Sequence, residues 1–362
     1  MKLNCRHFTL TLVLATLTPL SQLPAAEKDG KAEKGGKVVW TDATDPTIPS
    51  DFKLQGEYAG YNFGAQVIAL GKSTFQAVLY PGGLPGAGWD GKQKILLDGK
   101  NDGGNGIFTA AAAGKKYLAQ KPEEFSATST NPPHGHKAAT GTISGDTFTV
   151  KIEGGEAISL KKTTRVSPSM GAKPSAGAIV LFDGTGKTEW KGGRVDEKTK
   201  LLNTDGADIL TLKKFNNYTM HVEFLLPYRP DARGQGRGNS GFYQVDHYEV
   251  QILDSFGLDG KNNETGGVYT KAEPKLNMCL SPLVWQAYDV EFTNAVADET
   301  GKKIKNARMT LKLNGVLIHD NLEITGKTGG SRNDPEGTPG PIKLQGHGNP
   351  LQFRNIWIVE KK

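Results

Sequence analysis

The sequence has little cysteine, no long apolar run past its start, and almost no helical pattern. Of its 362 residues two are cysteine, Cys5 and Cys279. Cys5 precedes an apolar stretch near the N-terminus, so a chain trimmed behind that stretch keeps Cys279 alone. Such a chain forms no internal disulfide and is held by packing. Cys279 lies between Met278 and Leu280, the setting of a small core residue and not of an activated thiolate. Beyond the N-terminus no apolar run is long enough to cross a bilayer as a helix, so no integral membrane span is expected. Neither sign of charge dominates. Lys and Arg number 44 against 38 Asp and Glu, a formal +6, and the signs are interspersed. A basic stripe with interleaved aromatics is missing, which argues against nucleic acid as a partner. Gly 46 and Pro 19 together make 65 of 362 residues, a density of turn formers that excludes long helices and favours many short strands.

What is present falls into segments. Lys2 and Arg6, an apolar or hydroxylated stretch over 8–20, and the small pair Ala25 and Ala26 read as a signal peptide over 1–26. Export to the periplasm or the cell exterior is therefore expected. Residues 27–37, rich in Lys, Gly and Glu, read as a disordered leader. Over 38–165 short β segments follow one another. The runs 65–70 (AQVIAL) and 74–79 (TFQAVL) form a hairpin about Gly71, Lys72 and Ser73; further strands are expected at 93–97, 106–109, 147–152 and 158–161. The loop 81–91 is built of Gly and Pro and carries Trp89. This is a small all-β domain. Residues 166–178 (VSPSMGAKPSAGA) carry a linker composition. A second all-β unit fills 179–362, with strands expected at 219–226, 240–245, 248–253, 286–292, 307–313, 342–344 and 353–359. Asn314-Gly315 marks a tight turn within it. Many short strands of similar length point to an antiparallel sandwich or jelly roll.

Three rows of polar side chains fall at alternate strand positions, and successive strand residues face opposite sides of a sheet. In 247–254 (HYEVQILD), Tyr248, Val250 and Ile252 face a core while His247, Glu249 and Gln251 share the other face. In 341–348 (PIKLQGHG), Ile342 and Leu344 alternate with Lys343, Gln345 and His347, and Gly346 and Gly348 leave room around the imidazole. His221 and Glu223 alternate with Met220, Val222 and Phe224. The first row reads either as part of a polar binding groove or as an ordinary wet sheet face, and the second either as part of such a groove or as a turn in which His347 caps backbone groups. A divalent metal could face such His and Glu pairs, but their spacing matches no ligand motif, so no cofactor is expected. Ser240 stands in no nucleophile elbow, and 234–238 (GQGRG) precedes a strand, so no helix terminus is there to hold phosphate.

The motifs of the second unit combine into a family pattern. They are Asn239-Ser240-Gly241, then 248–254 (YEVQILD), Gly267-Val268-Tyr269, Trp285 before a strand, Asn314-Gly315, 344–348 (LQGHG) and 353–356 (FRNI). In this order and spacing the unit resembles the 3-keto-disaccharide hydrolase family over 179–362. The resemblance implies a concanavalin/laminin-G-like jelly roll with a carbohydrate on one sheet face. It implies a chemistry in which a ketone at sugar C3 acidifies the C2 proton, a base removes it, the C1 substituent leaves, and water adds. On this pattern Glu249 is the expected base and His347 the partner acid or oxyanion stabiliser, with Gln251 and Gln345 orienting the sugar. Tyr269 or Trp285 would supply an aromatic platform. Asn239, Arg237, Glu223, His247 and Arg354 complete the expected substrate contacts, although Arg354 could equally pair with Asp254. Jelly rolls host lectins as well as enzymes. A non-catalytic carbohydrate-binding protein and an envelope scaffold are the alternatives. Residues 38–165 lie outside the resemblance.

Overall fold

The computed structural model describes residues 38–361, so the signal-peptide and leader expectations fall outside the described residues. Eight antiparallel strands between residues 56 and 163 close into a barrel: Gly56–Gly60, Phe63–Gly71, Thr74–Pro81, Ile95–Asp102, Asn105–Ala110, Ala139–Ser144, Thr147–Ile152 and Ala157–Thr163. Lys72 and Ser73 both have positive φ and form the two-residue turn of its second hairpin. Alternation divides the apolar runs between two cores. Ala65, Val67, Ala69, Phe75, Ala77, Leu79, Ile95 and Leu97 fill the barrel, with Phe108 and Phe148. Ile68, Leu70, Val78, Tyr80 and Leu96 point outward, yet they too are buried, because that side of the barrel packs on the second unit. Burial on both faces explains why these strands read as continuously apolar.

The second unit is an all-β jelly-roll sandwich. One sheet has the order Arg194–Val195, Leu202–Asn203, Gln352–Glu360, Tyr218–Leu225, Trp285–Thr293, Ala307–Leu313, Val316–Ile324, and Ile179–Phe182 also pairs with Gln352–Glu360. The other has five strands: Trp190–Lys191, Ile209–Thr211, Lys343–Leu344, Asn239–Gln244, Tyr248–Leu253. Asn314 and Gly315, again both at positive φ, make the tight turn expected of that dipeptide. Between the sheets lie Met220, Val222, Phe224, Phe242, Tyr248, Val250, Ile252, Tyr288, Val290, Ile356 and Ile358. Cys279 is buried in this core, and burial pushes its thiol up to about 12.

Two arginines fasten the barrel to the sandwich. Arg233 donates to the Leu70 carbonyl (2.6 Å) and Arg237 to the Ala69 carbonyl (2.8 Å). Trp40 and Tyr228 exchange backbone hydrogen bonds, and Lys94 pairs with Asp259 at 2.8 Å. The Pro/Ser/Gly-rich segment 166–178 is tied down as well. Ser169 donates to Asp289 (2.6 Å), and the Gly171 amide donates to Glu223 (2.6 Å).

Candidate active site

The outer face of the five-stranded sheet carries a cluster of buried polar groups, Tyr243, Glu249, Gln251 and Lys343. Residues 245–247, with Val245 and Asp246 at positive φ, form the turn between Asn239–Gln244 and Tyr248–Leu253. That turn fixes the register, pairing Tyr243 with Glu249 and Gly241 with Gln251. Lys343 pairs with Tyr243 from the third strand. Tyr243, Glu249 and Lys343 therefore stand side by side, and Gln345, Gly241 and Gln251 form the next row; the Gln345 amide donates to the Gly241 carbonyl (2.8 Å).

Glu249 is at the centre. Its Oε2 accepts the Tyr243 hydroxyl at 2.9 Å, and among the described residues no group hydrogen-bonds Oε1. Oε1 lies over Gly241, where an added Cβ would stand 2.3 Å from it and 2.7 Å from the Tyr243 ring. The glycine thus leaves room for the carboxylate oxygen itself. Burial raises the Glu249 carboxyl, the Tyr243 hydrogen bond and the Lys343 charge pull it back, and the balance leaves it at about 7. Such a value lets one group accept and return a proton near neutral pH.

Its neighbours hold it in place. Tyr243 also reaches the Gly329 carbonyl (2.8 Å) and receives Gln345 Nε2 (3.3 Å). One hydroxyl proton faces two acceptors, so the tyrosine can turn its proton to Gly329 when Glu249 is protonated and donates to it. Lys343 lies 3.9 Å over the Tyr243 ring and is held by Asp246 (2.6 Å) and the Gly330 carbonyl (2.6 Å). Tyr269 is half-buried beside Gly329, and its amide donates to the Glu249 carbonyl (3.1 Å). At the other end Gln251 donates to Gln235 Oε1 (3.0 Å) and the Asn263 carbonyl (3.3 Å), and Asn239 donates to the same Gln235 oxygen (3.0 Å). His347 follows Gln345 on an exposed loop, and its ring makes no hydrogen bond to Glu249.

The structure brings together Glu249, Gln251, Gln345, Tyr269 and Asn239, and it takes His247, Arg237, Glu223, Arg354 and Trp285 elsewhere. His247 ends the turn that precedes the strand and is fully buried under residues 327–339. Burial, with the Arg332 and Lys327 charges, lowers it to about 4, so it is a neutral ring closed off from a substrate. Arg237 pairs with buried Asp254 (3.4 Å) at the barrel junction. Glu223 and Arg354 lie on the opposite side of the sandwich, on the outer face of the larger sheet, because alternation sends Val222 and Phe224 inward. There Arg354 donates to Glu223 (2.7 Å) and stacks 4.0 Å over Trp285, so neither it nor Trp285 faces Glu249. His221 completes this row, 2.6 Å from Asp289 and 3.3 Å from Glu223. Its partners are accounted for by clasping segment 166–178, and among the described residues no group of three His, Cys, Asp or Glu is arranged to hold a metal ion.

That clasp has a pH signature. Burial alone would lower the His221 imidazolium, but Asp289 and Glu223 outweigh it and hold it up at about 9. A raised imidazole contributes stability that is complete below its ordinary 6.5 and is lost as pH climbs through 9. Unfolding midpoints of the wild type and His221→Gln, followed from pH 6 to 10, are expected to converge at the alkaline end; a constant gap would remove the charged histidine from the account.

Tyr243, Gly241, Lys343 and Gln235 were not among the expected contacts. Tyr243 and Gly241 had a readable signal, since a three-residue turn at 245–247 pairs them with Glu249 and Gln251. Gln235 had none, because its position depends on the barrel.

With the geometry in place, the comparisons with known proteins can be set beside it. Residues 177–359 match the model of the 3-keto-alpha-glucoside-1,2-lyase-like domain, which is half of the chain. The chain belongs to this family. Its lyase-like domain is the jelly-roll sandwich, and it is a carbohydrate-active, glycoside-acting domain. Solved structures similar to it come from Parabacteroides distasonis ATCC 8503, of proteins provisionally assigned as glycosyl hydrolases. One is 33% identical over 51% of this chain and 84% of that one, with a TM-score of 0.48. Another is 19% identical over 51% and 94%, with a TM-score of 0.39. No curated protein is similar to the chain.

Proposed function

We propose that the protein is an exported enzyme that cleaves 3-keto-glycosides by elimination and hydration, with Glu249 as the base. The observation that carries this reading is the Glu249 carboxyl, buried and raised to about 7, with Oε1 set over Gly241 and hydrogen-bonded to no group among the described residues. The carboxylate takes the C2 proton, and the electron pair passes into the C3 ketone as an enolate. The enolate re-forms the ketone by expelling the C1 substituent, whose oxygen takes up a proton. Water then adds across C1 and C2: its hydroxyl goes to C1, Glu249 returns the proton to C2, and the proton that water gives up replaces the one the leaving oxygen took from solvent. One base and a donor at the ketone oxygen suffice, in contrast to the paired carboxyls that flank an ordinary glycosidic bond. Gln345 and His347 are the donors we place at that oxygen, and Tyr243 holds the base and absorbs its change of charge. Export rests on the basic, apolar and small-residue order of residues 1–26.

The test is release of the leaving group from methyl 3-keto-α-glucoside by purified protein, with methyl α-glucoside as control. Cleavage of the keto substrate alone is expected. The base must be ionised, so kcat/KM should rise with pH and level off above about 7. Equal cleavage of both substrates would exclude the elimination route. Binding of sugar without cleavage of either would make the protein a carbohydrate-binding module.

A further inference from the structure

The family domain accounts for half of the chain, and the barrel has so far served as a neighbour. One barrel segment reaches the sugar face. Between the strands Asn105–Ala110 and Ala139–Ser144 the chain leaves the barrel for 28 residues, 111–138, braced by the short parallel strands Lys116–Tyr117 and Phe125–Ser126. From this arm Tyr117 donates its hydroxyl to Glu264 Oε1. Glu264 is 1% exposed, and its other oxygen takes the amides of Gly260 (2.7 Å) and Lys261 (2.9 Å). Leu118 packs over Gly234, and the Phe125 ring lies 5.5 Å from the Arg233 guanidinium.

The two loops gripped in this way are those that hold Gln251. Gln235 follows Gly234, and the carbonyl next to Glu264 is that of Asn263. Gln235 itself donates to that carbonyl at 2.7 Å, and Gln251 donates to both groups. The arm thus sets, through Glu264, the spacing of an amide cluster of Gln235, Gln251 and Asn239. The cluster lies beside the edge strand Tyr248–Leu253, while Gln345 lies two strands away across Gly241, roughly 10 Å at the usual strand spacing. If the C3 ketone points to Gln345, C1 and its substituent point to the amide cluster.

We infer that Tyr117 is a positioning residue for the leaving-group end of the site, so that the barrel gives the enzyme its preference for a second sugar over a small aglycone. The inference rests on the elimination reading for which end is which, and not for the existence of the cluster.

The experiment compares wild type, Tyr117→Phe and Glu264→Gln in the full chain, on 3-keto-trehalose and methyl 3-keto-α-glucoside. Loss of one hydrogen bond behind the cluster is expected to raise KM for the disaccharide about tenfold. Its kcat and both constants for the methyl glycoside should stay near wild type. An equal change on both substrates, or none on either, overturns the inference. If wild type cleaves neither keto sugar, the elimination reading fails by itself, and calorimetric binding of trehalose and methyl α-glucoside decides instead. Weaker trehalose binding alone in Tyr117→Phe then sustains the positioning role; parallel loss, no change, or no binding by wild type ends it.

Discussion

Replacing Glu249 by Gln is expected to abolish turnover of a 3-keto-glycoside and at the same time make the protein more stable above neutral pH. Loss of a positioned base lowers kcat by about 10²–10⁴-fold. The stability gain follows from the same burial that makes the base useful. Burial raises the carboxyl from an ordinary 4.5 to about 7 despite Tyr243 and Lys343. Between these values the folded protein binds more protons than the unfolded chain, so stability falls as pH rises from 4.5 to 7. Above 7 the ionised group costs the fold roughly 3 kcal/mol. Gln keeps the shape and removes that cost. Unfolding midpoints of wild type and Glu249→Gln should nearly coincide at pH 4.5 and separate by pH 8, with the variant higher. A variant less stable at pH 8 would mean that Glu249 is a structural acceptor, and an active one would dismiss it as the base.

The second large effect concerns Arg237, which the sequence pattern assigns to substrate and the structure assigns to the barrel junction. Its guanidinium faces Asp254, a carboxyl with no exposure, and the Ala69 carbonyl. Arg237→Ala leaves Asp254 buried without a counter-charge, a change that costs roughly 3–5 kcal/mol in such settings. The midpoint of unfolding should fall by on the order of 10 °C. Arg237→Met combined with Asp254→Asn removes both charges and should recover most of the loss. KM for the keto-glycoside, measured at a temperature where Arg237→Ala is folded, should match wild type. A raised KM with an unchanged midpoint would return Arg237 to the substrate.

The parts of this protein that alternation governs were legible in the sequence. Glu249, Gln251 and Lys343 do leave their sheet on one side, as a period of two requires, whereas His247 falls in the turn before its strand and Gln345 and His347 fall past the end of theirs. What alternation cannot give is which sheet a row belongs to or what lies above it. The His221 and Glu223 row has the same pattern as the Glu249 row, yet it stands on the opposite face under segment 166–178. His247 precedes the strand of Glu249 and is covered by residues 327–339, a contact 80 residues away in the chain. Arg237 lies two positions from Asn239, but its partner carbonyl belongs to the barrel. Local pattern set direction; long-range packing set exposure, and exposure separates a ligand contact from a structural one.

The buried face shared by the barrel strands and the sandwich has a further bearing. Ile68, Leu70, Val78, Tyr80 and Leu96 belong to the same apolar body as Phe256, Leu258 and Met278. A protease nicking the chain near residue 175 would break a covalent link without separating the halves, since parting them would wet that whole surface. For the same reason neither half is a portable module: a gene fragment ending at residue 165 or beginning at 179 would encode a protein with an open apolar wound, prone to clump with its own copies.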